Sequence, residues 1–252
     1  MFRHALAILI ATATAAPGQT TQGVVPPTRI TVQMMPGITS SAQLPTQELI
    51  DARKALTEGR PIYTIQMREL ADLGDGFAAM KFGDWLADHS ETSNLSDVAH
   101  YYGIAAATAR GGAMTRLINT LDRVEPSDLL RARSNVLENI MLTYARAGNS
   151  HAVEAVLRYQ ATGKPFGRID AEVETLAAEA QGEAAAQIAL HLAVQIIQNP
   201  QHTTADLERA QTHLEAASTT TSLETQIVAS NLLPLLDSAV AQLNSAQSEL
   251  SQ

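Results

Sequence analysis

Apolar positions between Glu69 and Ala106 recur every three or four residues, the period of an amphipathic helix. In the first half, Gly74, Ala78, Phe82 and Gly83 give a tight start, a small contact, a large contact and a second small contact. In the second half, Val98, Tyr101, Tyr102, Ala105 and Ala106 form the inward stripe of another helix. Two such helices make a hairpin. A weaker version of the cycle returns between Ala177 and Ala217. The pattern predicts an all-α protein, an α-solenoid of stacked antiparallel helical hairpins.

The same period and its punctuation divide the chain further. Thr46 is positioned to cap a helix that ends near Glu58, before Gly59, and Pro61 opens a second that reaches Leu73. A third starts at Asp75. Its buried stripe is Ala78, Phe82, Trp85 and His89, with Lys81, Asp84 and Asp88 on the other side. Ser96-Asp97 caps the helix of Tyr101 and Tyr102, and Gly111-Gly112 interrupts it before Met114, Leu117, Ile118 and Leu121. Pro126-Ser127-Asp128 starts a helix running through Leu130, Val136, Ile140 and Tyr144 to Ala147. Gly148-Asn149 turns the chain into Ala152, Val153, Val156 and Leu157. Residues 162–168 read as a loop, with Asp170 capping the next helix. Two hairpins then fit, 171–181 with 183–198 and 205–217 with 223–236. Pro234 predicts a kink or an interruption in the last helix. The helical domain spans 46–243, and the polar residues 244–252 read as a frayed tail.

Ahead of that domain the pattern changes twice. Met1 to Ala16 place Arg3 before a short apolar run and then small residues, which reads as a secretory signal over 1–15 cleaved after Ala15. The apolar run stops at Pro17-Gly18, short of the ~20 residues that span a bilayer. Residues 16–45 are rich in Pro, Gly, Thr, Ser and Gln and carry one charge, Arg29, the composition of a flexible linker. Within it Ile30, Val32 and Met34 alternate with Thr31 and Gln33, the period of a short strand. With no second strand in the sequence to pair with, this piece is either an extended arm or a peptide that adds to a partner's sheet.

The spacing Gly74, Ala78, Phe82, Gly83, then Asp97, Val98, Tyr101, Tyr102, Ala105 and Ala106, resembles the Sel-like repeat family, relatives of the tetratricopeptide repeats. A second, partial match is Gly182, Ala186 and Leu190, followed by Asp206, Ala210, Leu214 and Ala217. His191 stands where the pattern has its second glycine, Gly111 falls later than the spacing asks, and the Ala210 helix has no aromatic. The resemblance implies an adaptor or scaffold, of the kind found in bacterial secretion, polysaccharide and envelope-signalling systems. Small residues at these places let helix backbones approach while one aromatic fills the remaining space.

Composition narrows the chemistry. Seventeen Lys and Arg against 26 Asp and Glu give a formal charge of −9, and no basic run exists, so the chain lacks the footprint of a nucleic-acid or anionic-membrane binder. It contains no cysteine, which removes disulfides, thiolate metal sites and cysteine nucleophiles. His89, His100, His151, His191, His202 and His213 form no close-spaced ligand array, so no metal or other cofactor is predicted. No G-x-S-x-G elbow is present, and Gly163-Lys164 lacks the upstream glycine of a phosphate loop. Asn94-Leu95-Ser96 fits a glycosylation tripeptide, meaningful only in a eukaryotic host.

What remains is binding. Five of the ten aromatics fall between Phe77 and Tyr102. Phe77 sits about 100° around its helix from Ala78, toward Lys81. Phe77 and Lys81 are therefore candidates for a partner surface, unless Phe77 packs on the preceding helix. Lys164, Phe166 and Arg168, an apolar ring between two cations on a loop, form a second candidate patch. The leading reading is a periplasmic or secreted scaffold that binds another protein, without stable membrane insertion once the signal is removed. The competing readings are an all-α enzyme acting on cell-wall glycans, for which Glu91 is the nearest acid, and a protein that captures an oligosaccharide.

Overall fold

The computed structural model describes residues 30–89 and 95–250, with side chains as far as Ala241. Eleven α-helices account for most of the described residues, and the one β interaction among them is an isolated antiparallel bridge. The first two helices are α1 (Gln47–Thr57) and α2 (Thr64–Asp72). Thr46 Oγ1 accepts from the Leu49 N–H, as an N-cap does. Residues 60–63, Pro61 among them, are not helical, so α2 starts three residues later than the sequence suggests.

Helices α3 (Gly76–His89) and α4 (Leu95–Ala107) pack against each other in the stretch where the small-residue spacing is clearest. Asp75 caps α3: its Oδ1 accepts from Phe77 N–H at 2.9 Å and Ala78 N–H at 3.0 Å, and its Oδ2 takes Arg53 Nε at 2.6 Å. The face that α3 turns to α4 is Ala78, Ala79, Phe82 and Gly83. A Cβ on Gly83 would lie 2.8 Å from the Tyr102 ring, so this glycine lets the tyrosine lie flat against the α3 backbone. The expected stripe through Trp85 and His89 is not the one α3 buries. Trp85 is 36% exposed and His89 is exposed, because the buried face rotates onto Ala79 and Gly83 instead.

Beyond Gly111-Gly112 comes α5 (Ala113–Leu121). Pro126–Asp128 forms a 3₁₀ turn rather than the first turn of a long helix, and α6 (Arg131–Arg146) begins after it. Leu130 and Val136, read as part of the apolar pattern, are exposed. Asn149 caps α7 (Ser150–Thr162) by accepting from the Ala152 N–H at 3.0 Å. Then follow α8 (Asp170–Glu179), α9 (Gly182–Gln198), α10 (Thr204–Ser218) and α11 (Leu223–Leu250). Asp170 is the first residue of α8, with Ile169 at the cap position. Helix α11 runs unbroken past Pro234 and through the polar residues from Asn244. Pro234 and Ser230, whose carbonyl loses its helical partner to the proline, both lie on the exposed side of the helix.

Most helices pack on a chain neighbour, and α4 with α6, α6 with α8, α5 with α7, α7 with α9 and α9 with α11 also touch. Two apolar cores share α9. Ala184, Ile188 and Leu192 of α9 join the larger core that starts at Leu44, while Ala189 and Ala193 join Leu207, Ala210, Leu214, Ala217, Ala229 and Leu236. The four-residue step within each set places them on two adjoining faces of one helix.

The expected linker behaves differently from Ile30 onward. Ile30, Val32 and Met34 are half-buried while Thr31, Gln33 and Met35 are exposed, the alternation read from the sequence. The partner of this extended piece lies within the chain. Gln33 bridges Thr108, Met34 N–H donates to Ala107 O at 2.8 Å, and Ile38 N–H donates to Gly74 O at 3.1 Å. Asn149 Nδ2 donates to Ile30 O at 3.1 Å, and Arg53 Nη2 to Ile38 O at 3.1 Å. The segment therefore crosses the ends of α2, α4 and α6 in turn, as a strap. Gly37, at φ +64°, makes the bend, and a Cβ there would meet Thr108 Cγ2 at 2.9 Å.

Candidate functional site

A cleft of about 280 Å³ opens on the row formed by α2, α4 and α6. Arg68 and Asp72 reach it from α2, Asp97, His100 and Tyr101 from α4, and Arg133 from α6, over a floor of Phe82 and Leu86 from α3. Tyr101 donates its hydroxyl to Asp72 Oδ1 at 2.9 Å, and Arg68 Nε lies 3.5 Å from Asp72 Oδ2. Arg133 Nη1 donates to Asp97 Oδ1 at 2.7 Å and Ser96 Oγ at 2.8 Å. Burial, then the bond to Asp72 and its charge, push the Tyr101 phenol above its ordinary range. Burial, then the Arg133 charge, push His100 down, so its imidazole is neutral near pH 7.

A line of rings leads from solvent into this cleft. His89 stacks on Trp85 at 4.8 Å, Trp85 on Phe82 at 5.8 Å, Phe82 meets Tyr101 edge-on at 4.6 Å, and Tyr101 meets His100 at 5.1 Å. The indole has a ring on each side, so it offers its edge rather than an open face. The arrangement suits a partner with alternating charge and a side chain that slots beside the indole. The paired cations and anions stay hydrated enough to exchange partners, since Arg68, Asp72 and Asp97 are about half exposed or more.

The residues predicted from sequence fall elsewhere. Phe77 is half-buried against the main core and lies between Lys81 Nζ, at 5.8 Å, and Arg110 Cζ, at 5.3 Å. Lys81 is exposed and close to it, as the helical spacing suggests, while Arg110 comes from the turn after α4. The loop 162–168 does not present a ring between two free cations. Phe166 packs edge-on against Tyr159 at 5.6 Å, Lys164 Nζ pairs with Glu125 Oε1 at 2.6 Å, and Arg168 Nε pairs with Asp170 Oδ2 at 3.1 Å. Both cations of that patch remain in solvent, Arg168 the more so, with its side chain 93% exposed.

Sequence reasoning missed the cleft because its members are spread over 66 positions of chain, from Arg68 to Arg133. The local signal was Arg68 and Asp72, an i, i+4 pair. Among the described carboxylates whose proton affinity is shifted, Glu138 on α6 goes up, through burial and then the charge of Glu172. Glu91 and Asn94 lie outside the described residues. No three His, Asp or Glu among the described residues gather closely enough to hold a metal ion. Comparison of the chain with family models, curated proteins and solved structures finds no match.

Proposed function

We propose that this chain is an exported α-solenoid of the Sel-like or tetratricopeptide type, a scaffold in the cell envelope that holds a protein segment on its α2–α4–α6 row. The observation that carries the reading is the cleft itself: two arginines, two aspartates, a histidine and a tyrosine at the end of a ring ladder that reaches solvent at Trp85. Helix packing that advances from neighbour to next neighbour supports the solenoid reading. The basic, apolar and small-residue order of Met1 to Ala16 supports export. Among the described residues no helix is long and apolar enough to cross a membrane.

The test is charge reversal at Arg133, whose pairs are partly exposed and contribute about 0–1 kcal/mol to stability. Arg133→Glu is expected to keep the melting temperature close to wild type and to abolish capture of the partner from envelope extracts. Equal capture by wild type and variant would place the binding surface elsewhere.

A further inference from the structure

Helix α11 is apolar on two opposite faces. It packs on α9 and α10, and Thr225, Ala229 and Leu236 are buried. Away from that face Leu223, Ile227, Val228 and Leu235 stand exposed, four of the eleven large apolar side chains that the described residues leave in solvent. Ile227 and Asn231 lie two residues to either side of Ala229, about 160° around the helix from it. A surface helix ordinarily turns polar residues outward, so an apolar outer face marks a place where something docks.

The order of residues on that face reads alike from both ends. Leu223, Ile227, Asn231 and Leu235 follow at every fourth position, and a four-residue step turns about 400°, so they form one continuous ridge. Turned end for end about Asn231, the ridge meets itself: Ile227 falls opposite Leu235, Val228 opposite Pro234, and Glu224 opposite Ser238. Apolar meets apolar, and the carboxylate meets a hydroxyl. The other charge between Leu223 and Ala241 is Asp237, which falls opposite Thr225, so no like charges oppose each other. A parallel pairing would instead set Glu224 against its own copy. Asn231 carries a donor and an acceptor, so the same amide satisfies its twin across a two-fold axis. Pro234 has no N–H to give the Ser230 carbonyl, which offers this face a second acceptor.

We propose that the outer face of α11 pairs with α11 of a second copy of this chain, antiparallel about a two-fold axis at Asn231. The exposed apolar side chains amount to roughly 400 Å² per copy, the size of patch that marks interaction sites on monomers and the small end of protein interfaces. The dimer is therefore weak and depends on concentration. It uses none of the residues of the Arg68–Arg133 cleft.

The chain has no cysteine, so a single introduced thiol reports the contact. Asn231→Cys and Ser238→Cys are made separately in the full chain and incubated with oxidised glutathione. Both positions are exposed, so neither change enters the core. Two copies of residue 231 meet at the axis, whereas two copies of residue 238 stand about 21 Å apart along the paired helices. Asn231→Cys is expected to form a disulfide-linked dimer at least roughly tenfold faster than Ser238→Cys, since pairing raises the effective concentration of its thiols. Sedimentation equilibrium of the cysteine-free chain gives the matching readout. Its mass is expected to rise toward that of two chains with concentration, and Ile227→Asp is expected to hold it at one while melting at the wild-type temperature. Equal or reversed linking rates, a mass that stays at one chain, or a dimer that Ile227→Asp leaves intact would each overturn the proposal.

Discussion

Asp75 does more than its position in the sequence indicates. One carboxylate caps α3 through two backbone N–H groups and holds Arg53, which in turn bonds Ile38 O of the strap. Its side chain is almost fully buried, so Asp75→Ala leaves Arg53 without its counter-charge. The expected cost is about 3–5 kcal/mol, read by chemical denaturation; a loss under 1 kcal/mol would show that the pair does not hold these three pieces together. The ring ladder separates core from surface in the same way. Phe82→Ala is expected to cost about 3–5 kcal/mol. Trp85→Ala removes two stacked contacts worth about 0.5–1.5 kcal/mol each and is expected to cost about 1–3 kcal/mol, less than Phe82→Ala. Equal melting of the two variants would restore Trp85 to the core. The Thr46 cap and the small residue at Gly83 were legible in the sequence, because each acts on atoms close to its own helix. The exposure of Trp85 was not, since a shift of the buried face by one residue leaves the apolar count of the helix unchanged.

At the scale of the element, the strap shows what pattern alone leaves open. Its two-residue alternation was visible, but its partners are main-chain groups at helix ends, which no side-chain pattern reports. Tyr144 supports it from below, donating its hydroxyl to Ala106 O at 2.8 Å with Val32 O at 3.4 Å. Tyr144→Phe leaves those acceptors short of a donor and is expected to speed amide exchange at Met34 and Met35 more than in α9 or α10. The end of the chain has its own clip. Glu183, in the first turn of α9, accepts from Thr225 Oγ1 and Thr220 Oγ1 at 2.7 Å each and from Gln187 Nε2 at 3.2 Å. Burial alone would raise its pKa, but the bonds from Thr220, Thr225, Gln187 and Ser222 outweigh it and hold the carboxyl below the ordinary range. A depressed folded-state pKa stabilises the fold above the unfolded value of about 4.3, and the gain disappears as pH falls through the folded value. Exchange protection in α9–α11 is therefore expected to fall as pH drops below that range, and Glu183→Gln is expected to flatten the dependence. An unchanged pH profile in that variant would remove Glu183 from this role.

For the whole molecule, the all-α class followed from periodicity, while the cleft did not, because it is assembled from four separate helices, α2, α3, α4 and α6. Sequence spacing pointed to Phe77 and Phe166 as partner contacts; both rings lean on the main core, while Arg68, Asp72 and Asp97 of the cleft are exposed and Arg133 is half-buried beside them. The proposed scaffold role rests on that surface, so the direct test separates binding from folding. Wild type, Arg133→Glu, Trp85→Ala and Phe77→Ala are each measured for thermal unfolding and for partner capture from envelope extracts. The account predicts that Arg133→Glu and Trp85→Ala lose capture while remaining folded at the assay temperature, and that Phe77→Ala retains it. Capture that survives both cleft variants and fails only with Phe77→Ala would contradict it.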